Sequence, residues 1–137
     1  MRLTLFLLFS AFFISTSVSA QNKFQEKTKS EGVSIYYKWS HQNPIDKASP
    51  LQMVIKAVNE NEHAVSVSFE ILYYIDGVLK EKNKVDNFCI KAGKTANGRF
   101  NGLVFSTANI SNTQIKSENF EWELSELVIE KLDACPD

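Results

Sequence analysis

Few side chains in this sequence combine the types and spacing that chemistry demands. The two histidines, His41 and His63, fall in or beside stretches that read as loops, with Asp46 and Glu62 close by. A metal site needs three or four ligands at characteristic spacings, and no third ligand is implied here. Serine is abundant, yet no Gly-x-Ser-x-Gly elbow is present to present a nucleophile. Glu121 and Glu123 are the acids of most interest. On a strand they share one face about 7 Å apart, within reach of glycosidase geometry. They alternate with apolar Phe120, Trp122 and Leu124, so a solvated outer face accounts for them equally well. No catalytic residue, metal ligand or cofactor is assigned.

Other groups point to cross-linking and to surface contacts. The cysteines Cys89 and Cys135 are even in number and are expected to form a disulfide, since an oxidising compartment lets such bonds form and persist. A bridge of that span is worth about 4 kcal/mol in the chain-entropy model. It would pin the end of the chain to the strand or turn that holds Cys89. Neither thiol has a Cys-x-x-Cys partner or a nearby histidine, so a redox role has no support. Lys80, Lys82 and Lys84 share one face of an expected strand, where they either protect an edge or meet an acidic partner. Tyr36 and Tyr74 occupy the expected solvent faces of their strands and offer flat amphipathic surface to a partner. These residues are the candidate binding surface.

The elements that would position these groups begin after residue 20. Arg2, the apolar run Leu3 to Ile14 and the small residues Val18-Ser19-Ala20 read as a signal peptide over 1–20, with cleavage after Ala20. No cysteine follows the junction to accept a lipid, so a released, soluble product is expected in the periplasm or outside the cell. About 117 residues then remain, a common size for one domain. The formal charge of −1 becomes one unit more negative when Arg2 leaves with the signal. Such a balance gives no electrostatic case for nucleic acid or an anionic membrane.

Residues 21–31 read as a polar leader, with Phe24 its one apolar side chain. From Gly32 onward, period-2 alternation dominates. Val33, Ile35, Tyr37 and Trp39 form one stripe; Leu51, Met53, Ile55 and Ala57 form a second; Val65 through Ile75 forms the longest. Asp76-Gly77 is a two-residue hairpin signal. The returning strand, Val78 to about Ile90, loses phase between Leu79 and Phe88, which predicts a bulge or an edge. Thr95 to Ser106 reads as a further strand bent at Gly98 and Gly102. Ser111 and Gln114 have capping-box spacing, which predicts one helical turn. The last strand starts at Phe120 and changes phase near Ser125-Glu126. The expected fold is all-β, an antiparallel β-sandwich of about seven strands with one short helical turn, occupying 32–137 as a single domain.

The polar turn and long strand from Asn59 to Ile71, the hairpin Tyr74-Ile75-Asp76-Gly77 and the turn Ile90-Lys91-Ala92-Gly93-Lys94-Thr95 occur in an order that resembles bacterial immunoglobulin-like or fibronectin type III-like domains. The resemblance covers roughly residues 50–106. It departs from antibody domains in that Cys135 is nearly terminal and Trp122 follows far behind Cys89. Such domains work as adhesins, spacers, inhibitors and carbohydrate binders, so the resemblance implies an extracytoplasmic binding or protein-interaction module with a protein or glycan partner. The alternatives are a small secreted hydrolase using Glu121 and Glu123, and a β-barrel ligand carrier.

Overall fold

The computed structural model describes residues 23–137, so the expected signal peptide lies outside the described residues. The strands are β1 (Gln25–Ser30), β2 (Val33–His41), β3 (Leu51–Asn59), β4 (Ala64–Ile75), β5 (Val78–Ile90), β6 (Thr95–Asn97), β7 (Val104–Ser106) and β8 (Phe120–Leu132). Two one-turn helices, α1 (Gly98–Asn101) and α2 (Asn112–Ile115), interrupt them. One sheet, sheet A, runs β1-β2-β3-β6, with β7 also on β3; the other, sheet B, runs β5-β4-β8, and all pairings are antiparallel. The all-β sandwich expected from alternation is therefore the architecture. Its two sheets stay separate and do not close, which removes the barrel-carrier alternative.

The stripes predicted from period 2 are the faces that meet. Val33 and Ile35 of β2, Met53 and Ile55 of β3, and Val65, Ile71 and Tyr73 of β4 are each 0% exposed. Toward one end the filling becomes aromatic. Trp39 meets Tyr73 and Phe120 at centroid separations of 6.3 and 5.9 Å, and Tyr37 meets the edge of Trp122 at 4.7 Å. Tilted and edge-on contacts of this kind are favoured by the ring quadrupole. They join β2 of one sheet to β4 and β8 of the other.

Two sequence expectations need correction. The polar leader is not wholly a leader, because Gln25–Ser30 forms edge strand β1 on β2, through a Glu31-Gly32 turn with both φ positive (48° and 75°). An edge strand with no buried face shows no hydrophobic alternation, and only the turn dipeptide signals it. Likewise, Thr95 to Ser106 is not one strand. It is β6, then α1, then β7, with Gly102 (φ 76°) capping the helical turn. Gly98 lies so close to β3 that an added Cβ would overlap Cγ1 of Val54. These two changes bring the strands to eight rather than about seven.

The remaining punctuation follows the sequence. Asp76 and Gly77 both take positive φ (51° and 74°), the geometry a two-residue hairpin needs. Ser111 and Gln114 cap α2 reciprocally. Strand β5 is an edge, as its lysines imply. Its pairing shifts opposite Val67/Phe69, and that of β8 shifts opposite Ser68/Glu70, so bulges flank β4 on both sides at one level. Cys89 and Cys135 are bonded across a sequence separation of 46, with Cα atoms 5.6 Å apart. Cys89 lies opposite Ser66 of β4, whose other neighbour is Glu130 of β8, so the bridge reaches from one edge of sheet B to the tail of the other. A disulfide of this kind fits an oxidising compartment.

The end of the sandwich away from the aromatic layer is organised by Asn59, 0% exposed. Its amide nitrogen donates to the carbonyls of His63, Ile90 and Lys91 at 2.9, 3.1 and 3.2 Å, and its Oδ1 accepts from the backbone and side-chain nitrogens of Asn61, both at 3.0 Å. Truncation would strand several buried carbonyls. Asn59→Ala is expected to cost about 2–4 kcal/mol, read as a lower urea midpoint at constant slope. A loss below about 0.5 kcal/mol would show that water replaces the carboxamide.

Tyr73 gives a second expectation. Its phenol is held in the core, accepts a 3.0 Å bond from Nδ2 of Asn83, and is pushed by burial from 10.0 up to about 12, the Asn83 bond acting in the opposite sense. The fold therefore favours the neutral phenol. That stability is complete below the unfolded value of 10.0 and is lost as pH rises toward about 12. The loss is about 2–3 kcal/mol, and Tyr73→Phe is expected to abolish this limb of an alkaline denaturation profile. An unchanged profile in the variant would overturn the assignment.

Candidate interaction surfaces

The acids and Tyr74 come together on the outer face of sheet B. Glu121 and Glu123 of β8 stand beside Tyr74 and Leu72 of β4, on the side away from core-facing Tyr73 and Ile71. The Tyr74 hydroxyl donates to Oε1 of Glu123 at 2.7 Å. With Gly77 and Trp122 these residues line an open depression of about 220 Å³. The Trp122 ring also meets Tyr37 in an edge contact at 4.7 Å. At its rim, Nζ of Lys27 sits 4.0 Å over the Trp122 ring and 3.4 Å from the Trp122 carbonyl. The bulge between Glu26 and Thr28 in β1 turns this lysine toward the free edge of β8.

The lysine row is less uniform than its spacing implies. Lys82 and Lys84 face outward opposite Leu72 and Glu70, whereas Lys80 falls within the register shift between Leu79 and Glu81. Lys82 pairs with Glu70 at 3.9 Å and Lys84 with Asp86 at 3.4 Å. Both lysines are solvent-exposed in these pairs, and Lys80 has no ion pair among the described residues. Tyr36 and Tyr74 do not share a patch either, because β2 and β4 belong to different sheets and the two rings lie on opposite outer faces.

The surface that spacing alone did not single out is the outer face of sheet A. Tyr36 and Lys38 of β2 point outward there, beside Lys56 and Val54 of β3. Nζ of Lys56 is 4.7 Å from the centroids of both the Tyr36 and Phe24 rings, and Nζ of Lys38 is 4.7 Å from Phe24. Arg99 arrives from α1, which lies beyond β3, and its Nη2 donates to Oγ of Ser40 on β2 at 3.2 Å. The guanidinium therefore crosses β3, where Val54 is only 2% exposed. Along β2 the cations thus fall beside Ser40, at Lys38 and over Tyr36, successive outward positions whose Cα atoms are about 7 Å apart. The Lys38 and Lys56 ammonium groups meet on the Phe24 ring. Among the described residues the ion pairs are Lys29–Glu60, Lys82–Glu70 and Lys84–Asp86, so none of these three cations has a carboxylate partner. The available signal was the outward phase of Lys38 and Lys56, together with the lone Phe24. Nothing in the sequence pointed to Arg99.

The histidines stay apart. Nδ1 of His41 lies 2.9 Å from the Ser49 carbonyl and Nδ1 of His63 lies 3.1 Å from the Ala64 carbonyl, at opposite ends of their strands. Among the described residues no three His, Cys, Asp or Glu side chains are grouped to hold a metal. Comparison with protein-family models, with curated proteins and with solved structures finds no match. The fold and its surfaces therefore carry the functional reading by themselves.

The Tyr74–Glu123 contact can be checked directly. The hydrogen bond to Glu123, chiefly, and then burial and the carboxylate charge raise the Tyr74 pKa above 10.0. Glu123→Ala is expected to return it toward that value in an NMR titration of ring-labelled tyrosine, with Tyr74→Phe identifying the resonance. An unmoved midpoint would mean that the contact does not persist in solution.

Proposed function

We propose that this chain is exported by its N-terminal signal and matures into an immunoglobulin-like domain that acts by binding rather than catalysis. Its partner is an acidic, extended segment of protein, received on the outer face of sheet A. The observation that carries this reading is the row of Arg99, Lys38 and Lys56, which have no ion pair among the described residues, with Lys38 and Lys56 held against the rings of Phe24 and Tyr36. Cations already packed on aromatic surfaces lose little side-chain freedom when a ligand arrives. The cations follow the direction of β2, along which an extended peptide can lie, and this favours a protein segment over a glycan. The net charge of −1 argues against nucleic acid as the partner.

The hydrolase alternative has weaker support. Glu121 and Glu123 line an open depression, and one of them is already committed to the Tyr74 hydroxyl.

An NMR titration with poly-L-glutamate tests the reading, with alginate as the acidic glycan and dextran as the neutral control. Poly-L-glutamate is expected to shift the amides of Tyr36, Lys38 and Lys56 in a salt-dependent manner, and K38E/K56E is expected to lose the response. Shifts confined to other surfaces, or a response to alginate alone, would overturn it.

A further inference from the structure

The acidic face of sheet B has the charge and spacing that the basic face of sheet A would select. Glu121 and Glu123 project from β8 on one side, separated by one strand dipeptide, about 7 Å. Both are exposed, and neither has a cation within ion-pair distance among the described residues. Across β4, Lys82 lies in register with Glu123 through Leu72 and is 3.9 Å from Glu70, while Lys80 falls in the register shift beside Tyr74. Lys27 sits over the Trp122 ring, between the two acids. Among the described residues each copy therefore carries cations without an ion pair on one outer face and acids without an ion pair on the other, with the core between them. Glu26 stands beside Tyr36 on the first face, and Lys27 beside Trp122 on the second.

We propose that the occupant of the sheet A face is the β8 face of a second copy, a deepening that rests on the binding reading above. Two cations of the row meet Glu121 and Glu123 of the neighbour, and the Tyr74 ring of that neighbour lies beside the contact. Phe24 and α1 lie over parts of the sheet A face, so the contact is made through protruding lysine and glutamate side chains rather than by bare sheet surfaces. Like-with-like docking is disfavoured, since it would oppose lysine to lysine or glutamate to glutamate. The contact is therefore heterologous. Each added copy leaves one basic and one acidic face free, so the product is an open stack unless the rotation between copies closes a ring. The faces are small and charged, so the association is weak and falls with salt.

Sedimentation velocity with charge-reversed chains tests this. The wild-type chain is expected to associate with rising concentration at low ionic strength and to become monomeric at high salt. K38E/K56E has two acidic faces and E121K/E123K two basic ones; each alone is expected to associate at least roughly tenfold more weakly. Mixing the two variants is expected to restore association, because each now complements the other. Circular dichroism on each variant shows whether it is folded, and the mixture supplies a gain of signal that misfolding cannot produce. A wild-type chain monomeric at all concentrations, or a mixture of folded variants that stays monomeric, overturns the inference. If poly-L-glutamate still shifts Tyr36, Lys38 and Lys56 in that case, the binding reading survives; if it does not, both fall.

Discussion

The carboxamide of Asn59 joins three turns that are far apart in sequence. It closes the turn from β3 to β4 through His63 and Asn61, and holds the end of β5 through the carbonyls of Ile90 and Lys91. Through Asn61, whose side chain donates to the Glu31 carbonyl at 2.9 Å, it also reaches the turn from β1 to β2. Backbone bonds complete the junction, from Glu60 to Gly32 at 2.8 Å and from Gly93 to Asn61 at 3.1 Å. A buried amide is costly unless satisfied, and this one is satisfied only when all three turns are in place. The chain crosses from sheet A to sheet B between β3 and β4 and returns between β5 and β6, so this network fixes how the sheets are joined.

At the opposite end, aromatic contact replaces hydrogen bonding. Tyr37, Trp39, Tyr73, Phe120 and Trp122 span the interior, and the flanks are closed by polar contacts that need no apolar surface. Lys27 covers the β8 edge beside Trp122, while the Glu81 carboxylate accepts from the backbone amides of Ala108 and Asn109 at 3.2 and 3.3 Å. The disulfide adds a covalent tie across sheet B. With the interior occupied by packed side chains, the outer faces are what the domain can offer to another molecule.

Those faces differ in charge although the chain as a whole is nearly neutral. In sheet B Lys82 and Lys84 lie near carboxylates of their own strands or neighbours, while Lys80 and Lys131 have no ion pair among the described residues. In sheet A Lys29 pairs with Glu60, and Lys38 and Lys56 instead find aromatic rings. A cation on a ring is free to pair with an incoming acid, whereas one in an exposed ion pair must exchange carboxylates at a cost of about 0–1 kcal/mol. This difference of partner gives the two outer surfaces opposite character.

The sequence by itself determined the class of fold, the core stripes, the hairpin at Asp76-Gly77, the cap at Ser111, the bulged β5 and β8, and the staple between the cysteines. Each is a local pattern or a count, and period-2 alternation states which side of its own strand a residue occupies. Alternation carries no information about which strand lies alongside. Hence β1, polar on both faces, was legible only as a leader, and Tyr36 and Tyr74 looked alike although they lie on opposite surfaces. The importance of Asn59 was equally hidden, since its partners lie up to 32 residues away. The basic row on sheet A depends on Phe24, β2, β3 and α1 meeting in space, and Arg99 joins it only because α1 folds back over β3. Only the tertiary structure decided which cations stand beside carboxylates, as Lys29, Lys82 and Lys84 do, and which, like Lys38 and Lys56, stand on aromatic rings without an ion pair among the described residues.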